Sequence, residues 1–251
     1  MTELPGLNVV VTGGNSGLGL GMSIGLAKAG ANIAVWGRNS ARNKAAVEEI
    51  AAFGGQAIAV DCDVAEEDQI EAAMARTVAE LGPLGAVFAN SGIAGHTKLV
   101  DTSLDEWRRI MAVNVDGAFL TARAAARQFI EQDTGGSLVL VSSTASIFGA
   151  TGVGAYSASK CAVVGLGRSL AVELARHRVR CNILVPGWTR TAMNETMQQN
   201  DRFMDATTAR TPVRRWATPD EFEKVAVFLA DPAQTYHTGN EVRVDGGYSI
   251  F

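Results

Sequence analysis

Tyr156 and Lys160 stand four residues apart in "YSASK", and Ser143 in "VSSTAS" lies thirteen residues upstream of the tyrosine. Residues at i and i+4 share a helix face, so the lysine ammonium can lie beside the phenol and favour its anion. A phenol has a reference pKa of about 10, so serving as a base near pH 7 needs a shift of roughly three units, or about 4 kcal/mol. A unit charge at about 4 Å and an effective dielectric of about 20 contributes roughly that much. Such a pair suits moving a proton on or off an oxygen, and Ser143 can hydrogen-bond that oxygen while its charge changes.

A second chemical signal is the run "TGGNSGLG" from Thr12 to Gly19. It opens a segment that reads as helix, where each glycine costs up to about 1 kcal/mol relative to alanine. The compensating gain is a helix N-terminus stripped of side chains, whose N–H groups and dipole can meet a phosphate directly. Gly13, Gly17 and Gly19 set the turn, and Asn15, Ser16 and Leu18 fall inside it. Gly17, Gly21 and Gly25 recur every four residues, a smooth stripe expected to pack against a sheet.

The elements that must position these groups follow one rhythm. Short β-branched runs ("LNVVV", "NIAVW", "QAIAVDCDV", "GAVFAN", "SLVLVSS", "VRCNILV", "NEVRV") alternate with helical patterns, among them long helices over about 105–132 and 155–176. Ser40 is the expected N-cap of the helix that begins "SARNKAAVEEIAAF". Strand–helix alternation predicts a parallel sheet with helices on both faces, and runs without polar alternation fit strands covered on both sides. Seven strands fit, giving a Rossmann-type, doubly wound α/β fold of order 3-2-1-4-5-6-7. One domain is expected over 1–251. The polar, methionine-bearing segment at about 193–216 exceeds the usual loop length and is expected to be a substrate lid, the alternative being surface helices without a binding role.

Bulk composition narrows the partners. The chain has 251 residues, 47% hydrophobic and 19% charged, with a formal net charge of −4. A sizeable core is expected, and neither a nucleic-acid surface nor a basic membrane-binding face. The N-terminal "MTELPGLNVVV" reads as neither signal peptide nor membrane span. Cys62, Cys161 and Cys181 lack paired or metal-ligand spacing and read as reduced core thiols of a cytoplasmic protein; no metal site is expected.

The form T-G-x-x-x-G-x-G from Thr12, together with Ser143 and the Y-x-x-x-K pair, resembles the short-chain dehydrogenase/reductase family over nearly the whole chain. The resemblance implies an NAD(P)(H)-dependent oxidoreductase that interconverts a secondary alcohol and a ketone by hydride transfer, with the tyrosine as general acid/base. It implies a catalytic tetrad of Asn114, Ser143, Tyr156 and Lys160, in which Asn114 holds a water linking Lys160 to solvent. It puts Asp63 and Val64 beside the adenine amino group. It also puts Asn90, Ser91 and Gly92 of "ANSG" where the family usually shows N-A-G. From "PGWTRT", Pro186, Gly187, Thr189 and Thr191 are expected at the cofactor, and the equivalents of Pro186, Gly187 and Thr191 hold the nicotinamide carboxamide. Tyr156 and Lys160 are expected to touch the cofactor as well, the lysine through ribose hydroxyls.

After the second strand an NAD site would place a carboxylate on the ribose hydroxyls, but "AVWGRN" has Gly37 there, followed by Arg38. An arginine fork suits a 2′-phosphate, which favours NADP(H); stacking of Arg38 on adenine would leave NAD(H) as the alternative. Ile93, His96, Ile147, Trp188 and Met193, with Ser143 and Tyr156, are the expected substrate-binding residues; Phe148 is expected to add to a mixed to apolar lining, and Asn194, like His96, to offer a polar contact. The expected substrate is a small alcohol or ketone. A 3-oxoacyl thioester on a carrier protein is the alternative, for which "RHRVR" offers basic residues beside the pocket. A non-catalytic dinucleotide-binding regulator is a third reading, against which the complete tetrad argues. The apolar tail Tyr248, Ile250 and Phe251 would be left in water by a monomer. The resemblance implies a homotetramer packed through such tails and long helices, and the alternative is a tail folded back on its own chain.

Overall fold

A computed structural model describes residues 3–251 of the chain. Seven strands form one sheet in the order β3-β2-β1-β4-β5-β6-β7. They are β1 (Asn8–Thr12), β2 (Asn32–Gly37), β3 (Ala57–Asp61), β4 (Leu84–Ala89), β5 (Gly136–Val141), β6 (Val179–Pro186) and β7 (Glu241–Val244), and every pairing is parallel. Two buried clusters cover its faces. On one lie α3 (Glu67–Leu81), α5 (Gly117–Gln132) and α6 (Gly154–Leu174), packed on Val10, Trp36, Val87 and Leu138. On the other lie α1 (Gly17–Lys28), α2 (Ser40–Ala51) and α9 (Glu223–Ala230), packed on Val9, Val11, Ile33 and Phe88. Strands apolar on both sides bury both faces, which is why no alternation is written into them. The strand order reverses at the β1/β4 boundary, where the carboxyl ends of the strands open a crevice.

Four local details depart from expectation. The helix over 105–132 is two helices, α4 (Leu104–Met111) and α5, joined through a π-turn at Ala112–Asp116 that carries Asn114. A π-turn inserts one residue into the helical ladder and so turns a chosen side chain inward. The N-cap of α2 is Asn39, whose side chain accepts from the Arg42 backbone N–H at 2.9 Å; Ser40 instead bonds Asp61. The glycine stripe of α1 faces a neighbouring segment rather than the sheet. A Cβ on Gly21 would lie 2.2 Å from the Pro219 carbonyl oxygen, and one on Gly25 2.4 Å from the Glu223 Cβ. Met22 and Leu26 of α1 supply its apolar contacts in the cluster against the sheet. Lastly, Cys62 and Cys181 are buried but Cys161 is exposed on α6, so only two of the three thiols belong to the core.

Candidate active site

A cleft of about 850 Å³ runs along the carboxyl ends of the strands. At its centre the chain leaves β1 through Gly13 (φ +65°) and enters α1 at Gly17 (φ +49°). Ser16 stands at the N-cap without a side-chain capping bond, and no acidic residue occupies the first turn, so the helix N–H groups remain unspent. A Cβ on Gly19 would lie 2.2 Å from the Gly13 carbonyl oxygen and 2.6 Å from Asn90 Nδ2. Bare backbone is therefore a steric requirement, and the cradle fits a phosphate. We expect Gly19→Ala to lower stability by about 1–3 kcal/mol and to weaken dinucleotide binding. Urea denaturation and cofactor titration read the two effects; wild-type values in both would show that the turn has slack.

The cradle is fastened to the neighbouring strand. Thr12 Oγ1 accepts from the backbone N–H groups of Asn90 and Ser91, each at 2.9 Å, and Asn90 Nδ2 donates to the Thr12 carbonyl at 2.9 Å. Thr12 thus ties the ends of β1 and β4, a positioning role that its place in the glycine motif did not disclose.

Ser143, Tyr156 and Lys160 converge on the same cleft, and Asn114 lies behind it. Tyr156 and Lys160 project from the first turns of α6, with Lys160 Nζ 5.7 Å from the centre of the Tyr156 ring. Lys160 Nζ also donates to the Val141 carbonyl at 2.9 Å. Asn114 accepts from the Ile93 N–H at 2.8 Å and donates to the Ile93 carbonyl and to Ser159 Oγ, both at 2.9 Å. Ser159 donates in turn to the Tyr156 carbonyl at 2.7 Å, and Ser142 Oγ to the Lys160 carbonyl at 2.9 Å. Ser142 and Ser159 therefore hold the tyrosine–lysine turn in place, and neither was singled out from sequence. Asn114 is buried and spent on this clamp, so it forms no part of the cleft wall.

The electrostatics of the chain alone differ from expectation. Burial raises the Tyr156 pKa above the ordinary tyrosine value, and the Ser143 hydroxyl draws it partly back. Burial lowers Lys160 from 10.5 to about 8. The folded lysine thus sheds its proton before the unfolded one does, so stability should rise with pH from about 8 towards 10.5. The buried thiols of Cys62 and Cys181, pushed from 9.0 up to about 12, act oppositely, with stability lost as pH rises above 9. Between pH 7 and 9 the lysine therefore dominates. We expect wild type to gain stability across that interval, and Lys160→Met to lose the gain. Parallel urea midpoints for the two proteins would refute this.

At the other end of the cleft Arg38 lies 3.6 Å from Asp63. Asn39 and Arg42 share this wall with Arg38, and neither was foreseen; Arg42 follows Arg38 by four residues, one turn into α2. The site where a carboxylate would sit is closed. A Cβ on Gly37 would lie 2.5 Å from Asn15 Nδ2 and 2.6 Å from Asn43 Oδ1, two atoms joined by a 2.6 Å hydrogen bond. Val64, Gly92, Pro186, Gly187, Thr189 and Thr191 also line the cleft, as do Asn15, Ser16 and Leu18.

Comparison with known proteins agrees with this geometry. Residues 13–249 match the family profile described as enoyl-(acyl carrier protein) reductase. The chain is 37% identical over 252 residues to a 2,5-dichloro-2,5-cyclohexadiene-1,4-diol dehydrogenase of Sphingobium indicum, covering 99% of each. The crystal structure of a short-chain type dehydrogenase/reductase from Mycobacterium marinum matches with a TM-score of 0.95 at 34% identity, covering 100% of this chain and 98% of that one. The chain belongs to the short-chain dehydrogenase/reductase family. It is also similar to a gluconate 5-dehydrogenase from Burkholderia cenocepacia, solved in complex with NADP and tartrate, with a TM-score of 0.95, 32% identity and coverage of 100% and 98%. Its chemistry is that of an NAD(P)(H)-dependent oxidoreductase acting on alcohol and ketone groups.

The end of the cleft around Tyr156 is largely apolar. Ile93, His96, Trp188 and Met193 line it with Ser143 and Tyr156. Ile147 does not: it follows the 3₁₀ turn Thr144–Ser146 outside the lining, 37% exposed, whereas Phe148, also expected there, does line the wall. Within 193–216 lie α7 (Glu195–Gln198) and α8 (Asp201–Arg210), and Met193, Asn194 and Met197 reach the cleft. Trp188 stacks on Trp216 at 4.9 Å and meets Phe203 of α8 edge-on at 5.2 Å, so an aromatic cluster fastens the segment to the end of β6. Tyr248 folds back onto the cleft, whereas Ile250 and Phe251 are exposed. The basic run "RHRVR" lies away from the pocket: Arg178 and Arg180 stand at the start of β6, and the cleft is at its end.

Proposed function

We propose that this chain binds NADP(H) along the cleft and uses Tyr156 to exchange a proton with the oxygen of a secondary alcohol or ketone. The observation that carries the reading is the meeting, in one cleft, of an uncapped glycine-built helix N-terminus with Ser143, Tyr156 and Lys160. The dinucleotide, when bound, supplies or accepts hydride at its nicotinamide. Gly13, Gly17, Gly19 and the turn between them would hold its phosphates, Asp63 and Val64 its adenine, and Pro186, Gly187 and Thr191 its nicotinamide end. Arg38 would take a 2′-phosphate, for which the closed space at Gly37 leaves no competing carboxylate. NAD(H) is the alternative.

Burial keeps Tyr156 protonated in the chain alone, the form that donates to a ketone oxygen. Ser143 would hydrogen-bond the same oxygen as charge develops on it. Lys160, mostly charged at neutral pH, is drawn to the cleft by the Val141 carbonyl, where an ammonium eases loss of the phenol proton in the reverse direction. Asn114, which the family resemblance ties to a proton-relay water, is held at the back of Gly92 and Lys160. The test is consumption of reduced nicotinamide with a panel of ketones, and its formation with alcohols. Inactivity across the panel by a protein that demonstrably binds cofactor would favour the non-catalytic binder.

The segment 193–216 is read as a substrate lid, supported by Met193, Asn194 and Met197 on the wall. A homotetramer is supported by exposed Trp107, Phe119 and Val172 on α4, α5 and α6 and by the exposed tail end. A monomer in light scattering would remove that reading. Among the described residues no helix is long and apolar enough to cross a membrane, which is compatible with a cytoplasmic site of action.

A further inference from the structure

We propose that the substrate is an uncharged alcohol or ketone with a largely apolar body, and that a guanidinium behind its wall, Arg210, is screened from it by two aromatic rings. The inference rests on the reading of the cleft as an alcohol/ketone site and names the class of molecule it takes.

The wall around Tyr156 is built from Ile93, Phe148, Val153, Trp188, Met193 and Met197, with hydroxyls at Ser143 and Thr144 and an amide at Asn194. Among the described residues the lining of this end has no carboxylate or guanidinium. The Lys160 ammonium is its one full positive charge, already bonded to the Val141 carbonyl and set beside the Tyr156 ring. His96 adds an imidazole at the exposed rim. A substrate carboxylate in such a place would lose its water without gaining a partner, which disfavours it strongly. An apolar ring or chain would bury its surface at no such cost.

Arg210, the last residue of α8, sits just behind this wall. Its guanidinium carbon lies 4.4 Å from the centre of the Phe148 ring and 4.3 Å from that of Tyr248, and Nη1 is 3.4 Å from the Tyr248 hydroxyl. Phe148 and Tyr248 line the cleft and Arg210 does not. Among the described residues it forms no salt bridge, and its protein contacts are the two ring faces and the Tyr248 hydroxyl. The three residues come from the loop after β5, the lid segment and the chain's end. One cation thus gathers three segments into the substrate wall while presenting that wall as apolar.

The test uses two ketones of one shape, 4-oxocyclohexanecarboxamide and 4-oxocyclohexanecarboxylate, with the full chain and NADPH. We expect kcat/KM for the amide to exceed that for the carboxylate at least about tenfold. Equal values, or a preference for the carboxylate, would overturn the proposal. Turnover of any ketone, lost in Tyr156→Phe, reports on the site reading separately. If no ketone is turned over, that reading falls, and the ratio of dissociation constants of the two compounds for the NADPH-bound protein still decides the question of charge. Failure of both to bind also counts against an apolar-bodied ligand. Tyr248→Ala and Phe148→Leu each strip one ring from the cation and should narrow the ratio about fivefold, whereas Arg210→Gln should leave it within about twofold. A selective loss of carboxylate binding in Arg210→Gln would show the guanidinium to be open to ligand and overturn the screening.

Discussion

Tyr156→Phe is expected to cut turnover by about 10²–10⁴-fold while leaving the dissociation constant for NADPH within about threefold of wild type. The substitution removes one oxygen and keeps the ring that lies against Lys160 Nζ at 5.7 Å. Fold and packing should be conserved, because the anchors of this turn are the Ser159 bond to the Tyr156 backbone carbonyl and the Ser142 bond to that of Lys160. Neither uses the phenol. What disappears is the group that gives a proton to a ketone oxygen or takes one from a carbinol, and Ser143 is far too weak an acid to replace it. Single-turnover rates at saturating cofactor measure the effect. Near-normal rates would shift the proton-transfer role to another group, with Lys160 the first to examine.

Arg38→Gln is the second large effect. With NADPH we expect kcat/KM to fall about 10–100-fold, and with NADH to stay within about threefold, since charged hydrogen bonds contribute about 1.5–3 kcal/mol. Arg38 is exposed, and its salt bridge to Asp63 is loose at 3.6 Å, so its loss should cost little stability. Arg42 on the same wall can retain part of the affinity, which sets the lower limit of the range. Equal losses with both cofactors would assign Arg38 to adenine stacking and return the choice to NAD(H).

Seven strands, their order and the helix between each pair were legible because apolar runs on a fully covered sheet carry no competing signal. The glycine turn was legible too, since Gly13 and Gly17 need left-handed backbone and Gly19 needs bare space. Less visible was which neighbour a smooth face meets: Gly21 and Gly25 answer to Pro219 and Glu223, about two hundred residues away in the chain. Hydrogen bonds that support the site were hidden for the same reason. Ser142, Ser159 and Thr12 are common residues whose roles exist only once β1, β4, β5 and α6 are side by side. The π-turn at Ala112–Asp116 has no signature in composition, since it adds a single residue to an otherwise ordinary helix. Ile147 and Phe148 illustrate the limit within one loop: both were expected on the wall, and turn geometry brings only Phe148 to the cleft.

The hydrogen bond between Asn15 and Asn43 fills the volume that any side chain on Gly37 would need. An acidic residue at this position therefore requires the Asn15 or Asn43 side chain to give way. Moving either asparagine gives up a part-buried polar pairing before any benefit arrives. Dinucleotide preference is in this sense guarded by an epistatic barrier, and a library aimed at changing it should vary positions 15, 37 and 43 together.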